Sequence, residues 1–301
     1  MKFVLYINHN IPHRKNYEAI KRMCTSHNIE YEITSSIDRL VQDNYNVLIA
    51  MNDYIDYNII PSNIKIIYGP QFFVFPEGPL IGPLQKNIEH RIVFNCLSEW
   101  IKTYFLEFSE FKVPLVPLPF SVDINTFTPA SDTNSKTWDC IVYIKHRKHD
   151  IINQSISILN NRGINYITFT YGSYNETDYK HALQNSKFML TLDAHESQGF
   201  ALEEAMACNV PLLVMDAQSM YDESNDGVNS IYAHHAPKRL LATSVPYWSD
   251  ECGIKIKEPS ELPEALDRML SSYAKFTPRK YIEETLSDRV CMQRILDYFK
   301  L

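Results

Sequence analysis

Short apolar runs alternate along this chain with amphipathic stretches, and that rhythm predicts its elements. Phe3–Asn8, Ile29–Ile33, Asn46–Met51, Ile64–Tyr68, Ile92–Asn95 and Val113–Val116 are brief and rich in Val, Ile and Tyr, as buried strands are. Between them, Tyr17–His27 and Ser98–Phe108 read as helices, and Ser98 stands where an N-cap belongs, ahead of Glu99 and Trp100. Strands alternating with helices build βαβ units and a mainly parallel sheet.

The rhythm then breaks. Pro114–Pro119 is proline-rich, and Ala130–Thr137 is small and polar. Such composition marks a linker, so a domain boundary is expected near residues 125–137. Beyond it the alternation restarts. Asp139–Ile144, Tyr166–Thr170, Phe188–Leu192 and Val210–Val214 read as strands. Ile151–Asn161, Asp178–Asn185 and Gly199–Cys208 read as helices, and Ser260–Tyr273 and Pro278–Tyr298 close the chain as two more. The expected fold class is α/β, with two doubly wound domains facing a central cleft. The first would span 1–125 and the second 126–280, with 281–301 a C-terminal helix that crosses back to the first. Open sheets of this kind take ligands outside the carboxyl ends of their strands.

Composition narrows the class. The chain has 301 residues, 45% hydrophobic and 22% charged, with net charge -7. That is ordinary globular composition, and it argues against a nucleic-acid reader, which would carry a basic face. Six cysteines are scattered without a Cys-x-x-Cys pair, so free thiols in a reducing compartment are expected rather than disulfides or structural zinc. The first apolar run is too short for a signal-peptide core, and no run reaches a membrane span. A cytoplasmic location follows as the expectation, with peripheral membrane contact left open.

The chemistry concentrates in Leu190–Val214. A strand ends near Asp193, a short loop carries His195, Glu196, Ser197 and Gln198, and Gly199-Phe200 opens a helix. A helix start offers free N–H groups and a positive dipole end, which suit a diphosphate, and Gly199 lets a ligand approach the backbone. Glu204 falls roughly 7–10 Å along the helix axis at about 1.5 Å per residue. That span fits a nucleoside diphosphate, and carboxylates accept hydrogen bonds well from vicinal hydroxyls.

Glu196 and Glu204, with Ala205-Met-Ala-Cys-Asn-Val-Pro211 behind them, resemble the Glu-x7-Glu donor motif of retaining GT-B glycosyltransferases, family 4. The resemblance implies two Rossmann-like domains, a nucleoside-diphosphate sugar as donor (UDP or GDP type) and a glycan or other hydroxyl as acceptor. It implies that Glu204 binds ribose and Glu196 contacts the transferred sugar. Tyr143-Ile-Lys-His-Arg147 matches the place where that family neutralises the diphosphate, which nominates Lys145 and Arg147. Pro119–Pro129 resembles the family's interdomain hinge segment, with Ser121 in place of glycine. The turn at Tyr171 and Gly172 is a candidate contact to the base. In the first domain, His9, His13 and Gly69 follow strands and are the acceptor-side candidates. No metal or other cofactor is expected. Two alternatives stay open: an inverting enzyme with a first-domain histidine as base, and a non-catalytic sugar-nucleotide binder.

Overall fold

The computed structural model describes residues 1–7, 13–51, 54–70, 84, 89–108, 112–131, 136–219 and 242–301. The chain divides into two compact units, 1–121 with 286–301, and 122–285.

The first unit is built on β1 (Lys2–Tyr6), β2 (Glu30–Thr34), β3 (Val47–Ala50), β4 (Lys65–Tyr68), β5 (Ile92–Asn95) and β6 (Leu115–Val116). All pair in parallel, in the order β2-β1-β3-β4-β5-β6. The central strands are apolar along their length because helices leave neither face to water; every residue of β3 and β5 is buried. Helix α1 (Arg14–Ser26) buries Asn16, Ala19, Ile20, Met23 and Cys24, the spacing of one helical stripe. It begins three residues before the expected Tyr17 because that stripe already starts at Asn16. Helix α2 (Ile37–Leu40) is a single turn, too short to leave a periodic signal. Helix α3 (Glu99–Phe108) follows β5.

The second unit holds β7 (Trp138–Lys145), β8 (Tyr166–Thr170), β9 (Ser186–Asp193), β10 (Leu212–Met215) and β11 (Gly253–Ile256). These too are all parallel, in the order β11-β10-β9-β7-β8. Its helices are α4 (His149–Asn161), α5 (Glu176–Gln184), α6 (Phe200–Ala207), α7 (Leu262–Ser272) and α8 (Pro278–Thr285). The edge strand β11 is not among the strands expected from sequence. At Gly253 a β-carbon would stand 1.9 Å from the Leu212 carbonyl oxygen, with φ +147°. Only glycine lets the chain start a strand that close to β10.

The two faces of the second sheet differ. One carries Cys140, Val142, Phe188, Leu190, Leu192, Leu213 and Met215, packed against Leu159 of α4 and Leu262, Leu266 and Met269 of α7. Each such buried aliphatic side chain contributes about 1.5–3 kcal/mol. Side chains alternate along a strand, so Tyr143, Lys145, Thr191 and Asp193 share the opposite face. That face becomes polar only as the strands end.

The expected single helix Pro278–Tyr298 is two. Helix α8 stops at Thr285, Ser287 takes extended backbone as N-cap, and α9 (Asp288–Phe299) begins anew. A serine followed by an aspartate is a helix start, and it interrupts the apolar period. Helix α9 lies with the first unit, where the Arg22 guanidinium reaches Asp288 Oδ1 at 3.2 Å and donates to the Ser121 carbonyl at 2.9 Å. The unit boundaries therefore fall at 121/122 and 285/286, beside the sequence divisions at 125/126 and 280/281.

Candidate functional site

The second sheet reverses its winding between β7 and β9, and a crevice opens outside the strand ends at such a reversal. The last residues of these strands, Lys145 and Asp193, stand opposite each other in register. The Lys145 ammonium forms an ion pair with Glu196 Oε1 and lies 4.6 Å from the centroid of the Tyr171 ring. Tyr171 is held in the turn after β8 by its N–H, which donates to the Ile144 carbonyl at 2.9 Å. Tyr171 is 48% exposed, and its ring also packs against His146, centroid to centroid 5.9 Å. Gly172 follows in left-handed backbone with open space around it.

Beyond β7 the two basic candidates separate. His146 adopts φ 53° and bridges the main chain of Asp193, which ends the strand and turns Arg147 inward. The Arg147 side chain is buried, donating to the Asp193 carbonyl at 3.0 Å and the Asp216 carbonyl at 3.2 Å. It ties the ends of β9 and β10 together, while Lys145 faces the crevice.

The loop from β9 to α6 is pinned at both ends. The Ala194 N–H donates to the Lys145 carbonyl at 3.0 Å, and the Glu196 N–H to the Thr243 carbonyl at 3.1 Å. Gly199 caps α6 with φ +94°, and its missing β-carbon would stand 3.4 Å from Glu196 Cβ. A side chain there would be strained by the backbone and pressed against the glutamate stem. Gln198 is buried and donates to Glu203 Oε2 at 2.9 Å, while Ser197 and Phe200 are half-buried. Every residue from Ala201 to Ala207 is buried, so Glu203 and Glu204 are not solvated surface carboxylates. Glu204 lies near Tyr179, whose hydroxyl donates to the Ala201 carbonyl at 2.7 Å.

The cluster is strongly coupled electrically. Burial opposes the charge on Lys145, yet its ion pair with Glu196, in the acidic surroundings Asp193 completes, outweighs it and raises its pKa above the usual lysine value. Burial first, then the Glu196 charge, pushes the Asp193 carboxyl well above the usual carboxylate range. Burial, reinforced by Glu196, likewise raises the Tyr143 phenol.

Three participants escaped the sequence reading. Asp193 is the one carboxylate of its strand and closes it, and that charge at the strand end was the available signal. Thr243 and Ser244 had none, because they lie some fifty positions downstream in an irregular loop. The Ser244 hydroxyl donates to the Asp193 carbonyl at 3.0 Å, and Thr243 Oγ1 donates to Asp216 Oδ1 at 2.9 Å. Together they staple the returning loop to the sheet end.

In the first unit, His13 is exposed at the N-cap of α1. Gly69 is buried after β4, its N–H donating to the Ala50 carbonyl at 2.9 Å. His9 lies outside the described residues.

No protein-family model matches this chain, and no curated protein does. Solved structures do. AviGT4, a glycosyltransferase involved in avilamycin A biosynthesis, is 11% identical with a TM-score of 0.60, over 100% of this chain and 97% of that one. The apo form of the lipopolysaccharide outer core galactosyltransferase WaaB is 12% identical, with TM-score 0.55 and 100% of both chains covered. Sucrose-phosphate synthase from Thermosynechococcus elongatus is 8% identical, with TM-score 0.55 over 100% and 98% of the chains. The likeness is one of fold. The chain has the two-domain, Rossmann-like α/β architecture of the GT-B class. Among the described residues no helix is long and apolar enough to cross a membrane.

Proposed function

We propose that the protein is a glycosyltransferase that moves a sugar from a nucleoside-diphosphate donor to an acceptor hydroxyl. The observation that carries this reading is the Lys145–Glu196 pair at the reversal of the second sheet, beside the Gly199-capped start of α6. A cation and a helix N-terminus converge where the fold class takes its ligands. The Glu-x7-Glu spacing from Glu196 to Glu204 adds the two carboxylates that a ribose and a donor sugar require.

In this reading the bond between the anomeric carbon and the diphosphate oxygen breaks, the acceptor hydroxyl oxygen bonds to that carbon on the same face, and the acceptor proton passes to the leaving diphosphate. The transition state resembles an oxocarbenium ion, and negative charge grows on the leaving diphosphate. Lys145 and the first N–H groups of α6 stabilise that charge from fixed positions, which is the largest lever such a site has. Arg147 acts at one remove, by holding the sheet ends that present Lys145. Glu196 contacts the transferred sugar, Glu204 the ribose, and the exposed turn at Tyr171 and Gly172 meets the base. Retention of anomeric configuration follows from the Glu-x7-Glu resemblance. Acceptor binding is proposed for the first unit, near His13 and Gly69. A cytoplasmic location is part of the same proposal.

The test is a panel of UDP-, GDP- and ADP-sugars incubated with the protein and a panel of hydroxyl-bearing glycan acceptors, with nucleoside-diphosphate release as readout and the anomer of the glycoside product read by NMR. Release from one donor class, undiminished by EDTA, and an axial or equatorial product matching its donor are expected. Inverted product would move the base to the first unit; activity lost to EDTA would place a metal in the site.

A further inference from the structure

We propose that Asp193 is held as a neutral carboxylic acid whose O–H donates to the Glu196 carboxylate, making it a positioning residue for Glu196. The positioning role rests on the donor-site reading above; the proton assignment does not. Asp193 is wholly buried and stands opposite Lys145 in register. Among the described residues neither of its carboxyl oxygens accepts a hydrogen bond, and the neighbouring Ala194 N–H donates to the Lys145 carbonyl. Arg147 and Ser244, which are close enough, both donate to the Asp193 carbonyl instead, and His146 meets only its main chain. Tyr143 lies one pair further down the strands, opposite Thr191. Among the described residues the cation in register with the carboxyl group is Lys145, whose ammonium is engaged by Glu196 Oε1, and the His195 imidazole follows two residues on.

Two carboxyl groups thus stand beside one ammonium, with Asp193 wholly buried and Lys145 and Glu196 largely so. Ionising both would leave an uncompensated buried negative charge, which interiors do not tolerate. One proton between the two carboxyls removes it. Because Lys145 bonds Glu196, Glu196 keeps the charge and Asp193 keeps the proton. The shift of Asp193 above the usual carboxylate range, by burial and by Glu196, agrees in direction. The consequence for the site is twofold. One Glu196 oxygen is fixed by Lys145 and the carboxylate is further held by the Asp193 O–H. The cluster is also electrically neutral, so it does not repel an arriving diphosphate.

The experiment uses ligand-free protein labelled with ¹³C at aspartate carboxyls, with the Asp193 resonance assigned by its loss in Asp193→Asn. At pH 7 it is expected at the position of a protonated acid, and finding it at the ionised position overturns the proposal. Thermal stability gives a second readout. A folded-state pKa above the unfolded value of about 3.9 means that the folded protein binds the extra proton. Wild type therefore loses stability relative to Asp193→Asn as pH rises above about 4. The opposite trend would show Asp193 ionised. For positioning, UDP and GDP are titrated calorimetrically. Asp193→Asn, which keeps an N–H donor, should bind within about 3-fold of wild type, and Asp193→Ala at least tenfold more weakly. Equal binding by Asp193→Ala overturns the positioning role. Wild type that binds neither nucleotide removes the donor reading and that role with it, while the resonance still decides the proton.

Discussion

The two sheets share one winding but end their central strands differently. In the first unit the strands flanking the reversal, β1 and β3, finish with Tyr6 opposite Ala50. In the second, β7 and β9 finish with Lys145 opposite Asp193. Topology supplies a crevice in both units, because reversal of the winding parts the connections on either side. Only the second sheet carries charge up to the end of its strands. There a cation, two carboxyls and a helix start converge, and an apolar face behind them holds the arrangement rigid. Fold thus provides the place, and a few strand-terminal side chains decide what it does.

The contrast can be broken by writing charge into the first sheet. Ala50 is 1% exposed, and Ala50→Asp places a carboxylate there with no cation in register. It should lower unfolding free energy by about 3–5 kcal/mol, read by urea denaturation. A loss below about 1 kcal/mol would mean that this strand end is wetter than its burial indicates.

In the second unit the next largest effect is catalytic. Lys145→Ala removes the cation facing the leaving group and should reduce turnover about 10²–10³-fold, measured as diphosphate release. Arg147→Lys sharpens the division of labour, because lysine cannot reach both carbonyls. It should reduce stability, seen in thermal denaturation, more than it weakens nucleotide binding. The reverse pattern would return Arg147 to the phosphate.

The smallest effect concerns pH, where the units should respond with opposite signs. In the first unit Glu32 accepts from Arg39 through both oxygens, at 2.6 and 2.8 Å. Those bonds, with help from Lys2, hold its carboxyl down to about 2. Its contribution is present above the ordinary glutamate value and is lost as pH falls towards 2. The pair is partly exposed, so water screens it, and Glu32→Gln should cost under about 1 kcal/mol at neutral pH. The cost should vanish near pH 2. Asp193 runs the other way, weakening the fold as pH rises.

Much of this was legible in the chain. The alternation of short Val- and Ile-rich runs with amphipathic helices disclosed two α/β units, because parallel strands covered on both faces cannot hide their apolar pattern. Gly199 was readable as a helix start, while Glu196 and Lys145 were nominated through the family resemblance; the structure joins those two in one ion pair. Arg147 looked equivalent to Lys145 in sequence. A left-handed residue at His146 separates them, and histidine gives no local sign of it. Helix α9 was hidden inside a continuous apolar period that only Ser287 interrupts. Ser244 was illegible for a different reason: its partner is fixed by tertiary return of the chain.

The central claim is that the charged strand ends of the second unit, with Glu204 behind them, bind a nucleotide-sugar donor. Calorimetric titration of UDP-, GDP- and ADP-sugars against wild type and Glu204→Ala tests it most directly. One donor class should bind wild type and bind the variant about 10–100-fold more weakly, equivalent to about 1.4–2.8 kcal/mol. Equal affinity for both proteins, or no binding by any donor to folded wild type, would contradict it.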